Sequence, residues 1–276
     1  MKTAWIFPGG SARAVYTAGN IYALCEIDIP PPDIIIGCSG SAPTAMCYIS
    51  GQKEVIKNVW CRSLSNTNFL NIFRFWRMLD IDYLIDTVIK QNNPLDLVKI
   101  KNSEIKFLTP ITNSKTGDVE YVSNRDNLDL MEVSRATTWV PFAASLFNLR
   151  GVKINDNYYF DSGVASRFPI HVEEAIREGA ERIIVFDSWH KDDNPKHLLA
   201  KVFTYFKNKR YRQKQLKLFK EINSFRPPEI VGFHYFSPKE SLHMSRWNNN
   251  NENANLVFSR GLNDIKNNRE LMKIYE

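Results

Sequence analysis

Apolar positions along the chain alternate between short runs and helical spacing. Thr3 to Phe7 is an apolar run closed by Pro8-Gly9-Gly10, and within Ala12 to Glu26 the residues Val15, Ala18, Tyr22 and Leu24 recur near helical intervals. The pattern predicts a strand, a tight glycine turn and a helix. Past the breaker Pro30-Pro31-Pro32 the same unit returns: Asp33 to Ile36 as a buried strand, the small-residue turn Gly37-Cys38-Ser39-Gly40-Ser41, and a helix over Ala42 to Ser50 with Pro43 in its first turn. Val55 to Ile100 reads as a helical, cap-like insertion with no clear strand.

Further along, Lys106 to Thr112 and Val119 to Val122 flank the turn Lys115-Thr116-Gly117-Asp118 as a hairpin, and Val152 to Ile154 pairs with Tyr158 to Phe160 around Asn155-Asp156-Asn157. A helix over His171 to Glu178, a strand over Arg182 to Asp187, a last strand over Ile230 to Phe236 and a closing helix over Asn253 to Met272 complete the series. Asn248 to Asn253 reads as a solvated loop. Repeated strand-turn-helix units imply an α/β fold, a mostly parallel sheet sandwiched by helices, as one domain over residues 1–276.

Composition narrows the field. In 276 residues, 43% hydrophobic with 12 Gly and 13 Pro, the chain has the profile of a folded globular protein. No apolar run nears the ~18 residues of a membrane span. The lysine and apolar stretch at the start are cut by Pro8 before a signal-peptide core forms, so a first strand and a cytoplasmic protein are expected, with a cleaved signal as the alternative. Cys25, Cys38, Cys47 and Cys61 form no CxxC pair, and His171, His190, His197, His234 and His243 form no HExxH helix. No metal or cofactor is expected.

Three segments carry candidate chemistry. Gly37-Cys38-Ser39-Gly40-Ser41, between a β-branched strand and a helix, has the context of a nucleophile elbow, with Ser39 at a helix N-terminus. Gly9-Gly10-Ser11-Ala12-Arg13 opens the preceding helix without the spacing of a nucleotide loop, which suits an anion hole for a transient charge. Phe160-Asp161-Ser162-Gly163 sets an aspartate at the end of a strand. In this order they resemble the patatin-like phospholipase family, whose pattern is G-G-G-x-R/K-G, G-x-S-x-G, then D-G-G/A. The resemblance extends to Ala136 to Pro141, to Tyr235-Phe236-Ser237-Pro238 and to Arg260 to Asp264. Ser11, Ala14, Ser41 and Ser162 stand where the family has glycine.

That resemblance implies a serine lipid acyl hydrolase acting on phospholipid or lysophospholipid. Ser39 is its nucleophile and Asp161 its base, Gly9, Gly10 and Ser11 form the oxyanion loop, and Arg13 anchors that loop. A Ser-His-Asp triad using His234 or His243, and a thiol nucleophile at Cys38, are the competing readings. So is a family member disabled by its Gly-to-small changes that only binds lipid or nucleic acid.

Charge adds a surface. The chain carries +6, yet Lys196 to Lys220 alone holds nine basic residues and no acid, so the remainder sums to −3. Interleaved aromatics suit a helix on an anionic membrane, with Lys207, Lys209, Arg210 and Arg212 as contacts; an ordinary solvated helical face is the competing reading, and single-stranded nucleic acid the less favoured partner for the same mixture. Ile72 to Leu79 is amphipathic, which suits either a cap over an acyl-chain groove or packing into the core.

Overall fold

A computed structural model describes residues 1–190, 198–229, 232–242, 244 and 250–276, and only the backbone over 198–201. Lys196, His197, Ile230, His243 and Asn248 lie outside the described residues. The chain opens with β1 (Thr3–Phe7), a 3₁₀ turn (Ser11–Arg13), α1 (Ala14–Leu24), β2 (Ile34–Gly37) and α2 (Ser41–Ser50). Next come α3 (Lys53–Asn58), two π-helical segments (Val59–Ser63 and Tyr83–Asn92) and α4 (Leu97–Lys101). Then follow β3 (Lys106–Asn113), β4 (Val119–Ser123), α5 (Leu130–Thr138), β5 (Val152–Ile154), β6 (Asn157–Phe160), α6 (Pro169–Arg177) and β7 (Arg182–Phe186). The chain continues with α7 (Leu198–Tyr205), α8 (Lys209–Ser224), β8 (Gly232–Phe236), α9 (Asn251–Lys266) and α10 (Arg269–Lys273).

The strands form one sheet in the order β5-β6-β3-β2-β1-β7-β8, with β4 on the free edge of β3. Pairings β2–β1, β1–β7, β7–β8 and β2–β3 are parallel, while β4, β5 and β6 join antiparallel. Because successive strand side chains point to opposite faces, Trp5, Phe7, Ile35, Ile184 and Phe186 pack one layer, whereas Ala4, Ile6, Ile34, Ile36, Ile183 and Val185 pack the other against Val172 and Ala175 of α6. Helices therefore cover both faces.

Helix α1, which begins at the first glycine turn, is held from behind by α9. A Cβ on Gly19 would meet the Phe258 carbonyl at 2.1 Å and one on Gly261 the Tyr16 carbonyl at 2.2 Å, so the two backbones can touch only as glycines. Tyr16 Oη then donates to Asp264 at 2.8 Å.

Several expectations are corrected. Asn250 caps α9 by accepting from Asn253 N, so Asn251 to Asn253 are the first helical turn and not loop. The closing helix does not run unbroken to Met272: Asn267 ends it, and Asn268 caps α10. Within the insertion, Asn68 to Leu79 folds back as a turn with a Leu70–Leu79 bridge, its Arg74 side chain donating to the Arg77 and Asn68 carbonyls. Among the described residues, no helix is long and apolar enough to cross a membrane.

Candidate active site

The turns after β1 and β2 lie side by side at the carboxyl edge of the parallel strands, where α/β sheets bind ligands. Ser39 has a left-handed backbone (φ 51°), uncommon for a residue with a Cβ, and the peptide folds straight into α2 through Ser41 N to Cys38 O and Ala42 N to Ser39 O, both 3.0 Å. A Cβ on Gly37 would lie 3.0 Å from Ala42 Cα, so the sharp turn needs glycine there. Ser41, in the place of the elbow's last glycine, donates its hydroxyl to Pro8 O at 2.8 Å and ties the two turns together. Gly40 faces the Trp60 ring. It opens a narrow apolar crevice of about 20 Å³, lined with Pro43, Trp60, Leu64, Leu84 and Ile89 beneath the insertion.

The first turn packs directly on the serine. A Cβ on Gly9 would lie 2.7 Å from Ser39 Cβ and from Ser166 Cβ. One expectation fails here: the Gly9 N–H donates to Ser166 O at 2.9 Å and is spent, so Gly9 provides closeness and no oxyanion donor. Gly10 N and Ser11 N donate to no acceptor among the described residues. Ser11 is also left-handed (φ 52°), the geometry for which the family uses glycine. Arg13, buried, donates through Nε (3.3 Å) and Nη2 (3.2 Å) to Ser188 O and lies 4.1 Å over the Trp189 ring, which fixes the turn to the end of β7. Among the described residues the Ser188 hydroxyl is buried without a partner, 2.5 Å from where a Gly10 Cβ would sit.

Sheet register brings up the aspartate. On one edge of β3, β2 pairs with Lys106 to Leu108 and β6 with Thr112 and Asn113, so the carboxyl ends of β2 and β6 run toward each other. Both residues then hang on the end of α5: Ser39 N donates to Thr137 Oγ1 at 3.1 Å, and Asp161 N donates to Trp139 O at 2.9 Å. Thr137 in turn donates to Pro110 O of β3 at 2.8 Å. Asp161 Oδ1 accepts from Gly163 N at 2.7 Å, and Ser162 takes the Thr112 hydroxyl at 3.0 Å. Ser39 and Asp161 are both buried, and Ser39 Oγ makes no hydrogen bond among the described residues.

The competing nucleophile and base fare badly. Cys38 points into the α6 layer, where burial, with Asp161 and Asp187 nearby, pushes its thiol well above the usual range and away from thiolate. His234 sits on β8, level with Ile35 and three strand spacings, roughly 14 Å, from β2, and so farther still from Ser39 beyond its end. His171 is buried under the aspartate loop, bonded to Ala165 O (3.1 Å) and Tyr121 Oη (2.8 Å), and burial lowers it to about 3, so its ring is neutral. Among the described residues no group of His, Cys, Asp or Glu could hold a metal ion.

Two side chains of this neighbourhood, Thr137 and Asp187, have roles that the sequence does not display. Thr137 lay in a small-residue stretch whose contacts no spacing reveals. Asp187, at the end of β7, is buried, accepts from Tyr235 Oη (3.1 Å) and Trp189 N (3.1 Å), and is pushed up by desolvation. Its only sequence signal is its place at the end of a strand.

The basic segment also differs from a free cationic face. Lys207 Nζ lies 4.9 to 5.5 Å from the Phe203, Phe160 and Tyr211 rings, and burial with Arg150 nearby lowers it to about 8. Lys214 and Arg210 reach Asp118 at 3.0 and 4.0 Å, and Arg212 donates to Tyr205 O at 3.0 Å. Lys209 is exposed.

The family model described as patatin-like phospholipase matches residues 6–173. The chain is 25% identical over 191 residues to the uncharacterized protein YjjU of Escherichia coli (strain K12), a stretch that is 67% of this chain and 51% of that protein. The chain thus spans about half the length of the curated relative it matches.

Proposed function

Because the chain belongs to the patatin-like phospholipase family, we propose that it is a serine hydrolase that cleaves carboxylic ester bonds of phospholipids or lysophospholipids through Ser39 and Asp161. The observation that carries the reading is the left-handed Ser39 at the head of α2, with the first glycine turn packed against its Cβ.

Ser39 Oγ attacks the ester carbonyl carbon while Asp161 takes the hydroxyl proton. The carbonyl oxygen becomes an oxyanion facing the Gly10 and Ser11 N–H groups and the N-terminus of α2. The intermediate collapses, the C–O bond to the alcohol breaks, and Asp161 returns the proton to that alcohol. Water then attacks the acyl-enzyme, Asp161 takes its proton and passes it to Ser39, and the fatty acid leaves. An aspartate, with an ordinary pKa of about 3.9, is a weak base for a hydroxyl, so dipoles aimed at the oxyanion carry much of the rate. The apolar crevice beside Gly40 is the acyl-chain path. At about 20 Å³ it holds no more than about one water, so the π-helical segments that line it must part for a chain to enter.

Labelling with a fluorophosphonate probe, followed by peptide mapping, tests the assignment. Ser39 should carry the adduct, and Ser39→Ala and Asp161→Asn should each lose nearly all hydrolysis of a short aryl ester, with losses that do not add. Labelling elsewhere would remove Ser39. A folded protein that neither labels nor hydrolyses would be a lipid-binding member with a disabled site.

A further inference from the structure

Large apolar side chains stand out of the protein in three segments. Phe73 is 87% exposed, Phe147 85% and Phe206 76%, and Phe75, Trp76 and Tyr205 beside them are also open to solvent. Soluble surfaces seldom hold so many large rings together unless something covers them. The segments are joined. Leu146 N donates to Trp76 O at 3.0 Å, and Leu79 N to Ala143 O at 2.8 Å. Phe142 packs edge-on to Phe203 and Phe206, at 5.4 and 6.5 Å. The tip at Ile72 to Trp76 is braced, since Arg74 is spent on carbonyls of its own turn and on Asp80, and Arg77 on Asp80 and Asp82. Its Phe73 and Phe75 rings stand exposed on this braced turn.

The patch leads to the site. Phe206 touches Phe142, Phe142 touches Phe203, and Phe203 packs on Phe160 at 5.2 Å, the residue before Asp161.

We infer that this aromatic rim, formed by the tips around Phe73, Phe147 and Phe206, is where the protein inserts into an anionic lipid bilayer. Charge selects the occupant. Residues 141–153 and 198–220 contain lysines and arginines and no carboxylate, whereas Arg74 and Arg77 of the first tip are balanced by Asp80 and Asp82. Arg150 and Lys153 are exposed and form no ion pair among the described residues. A second copy pressed on this face would bring cations against cations, whereas anionic headgroups complement it and the hydrocarbon beneath takes the rings. The rim thus assigns lipid contact mainly to aromatic insertion and reduces the basic face of α8 to a flank. The inference takes its bilayer from the lipid hydrolase reading, but its test does not depend on turnover.

The test uses the full chain with Ser39→Ala, so that no lipid is consumed, and vesicles of equal parts phosphatidylcholine and phosphatidylglycerol. Phe73→Asp, Phe147→Asp and Phe206→Asp should each weaken vesicle sedimentation about tenfold or more, because each replaces a ring that enters the bilayer with a charge. Brominated lipid should quench tryptophan emission in the parent, and Trp76→Phe should remove most of that quenching. Melting temperatures, and soluble-ester hydrolysis in the Ser39 background, should be unchanged. Retained vesicle binding in all three aspartate variants, or a light-scattering mass that falls from dimer to monomer in them while the parent ignores vesicles, would overturn the rim as a lipid surface. Rim-dependent vesicle binding by a protein that hydrolyses no ester would leave the rim standing and sink the hydrolase.

Discussion

The left-handed backbone of Ser39 makes a prediction that requires no substrate. At an ordinary right-handed helical site, replacing Ala with Gly costs about 1 kcal/mol in conformational freedom and about 0.8 kcal/mol for the buried methyl. Ala45, buried in α2, provides that reference, and Ala45→Gly should lose close to about 2 kcal/mol. At residue 39 the same two losses are offset by release of about 1–2 kcal/mol of left-handed strain. Ser39→Ala, which keeps the Cβ and deletes a hydroxyl with no hydrogen bond among the described residues, should melt close to the parent. Ser39→Gly should then lie within about 1 kcal/mol of Ser39→Ala, while Ala45→Gly melts lower than the parent by roughly 4 °C or more. Urea unfolding followed by circular dichroism measures all three. If Ser39→Gly falls below Ser39→Ala by as much as Ala45→Gly falls below the parent, residue 39 is not held left-handed in solution and the presented nucleophile loses its physical basis.

Gly10→Ala should displace the oxyanion loop, because its Cβ would lie 2.5 Å from Ser188 Oγ; ester turnover should drop steeply and recover in part when Ser188→Ala is added, which steady-state assays of the two variants would show. His171 is held neutral, with a folded value of about 3 against 6.5 unfolded, so the unfolded chain binds its proton first and stability should fall as pH drops from about 6.5 toward 3. In His171→Gln, whose amide can still meet Ala165 O and Tyr121 Oη, the slope of unfolding free energy over that window should flatten; equal slopes would show the imidazole is not buried neutral.

Strand-turn-helix order was legible because β1 and β2 are buried on both faces and therefore read as continuous apolar runs, and because each turn needs glycines that a sequence displays openly. The ends were less so. The asparagines at 250 and 268 act as caps, and a cap looks like a loop until the following N–H groups are seen to point at it. The roles of Gly9 and Lys207 were not legible at all. Whether an amide is free depends on Ser166 lying opposite, and whether a lysine faces solvent depends on three rings drawn from β6, α7 and α8. Ser41 and Ser162 illustrate the reverse case: as departures from glycine they cast doubt on the site, yet each donates or accepts a hydrogen bond that braces it.

The end-to-end meeting of β2 and β6 along one edge of β3 has a consequence for how the protein reaches activity. No local stretch of chain contains both Ser39 and Asp161, and their spacing is a property of one strand's ladder that exists only after residues far apart in sequence have paired. Such non-local closure is slow. Helical ellipticity can return early in refolding through α1, α2 and α9 without bringing Ser39 and Asp161 together, so under the proposed hydrolase reading esterase activity should return last, once the sheet is complete.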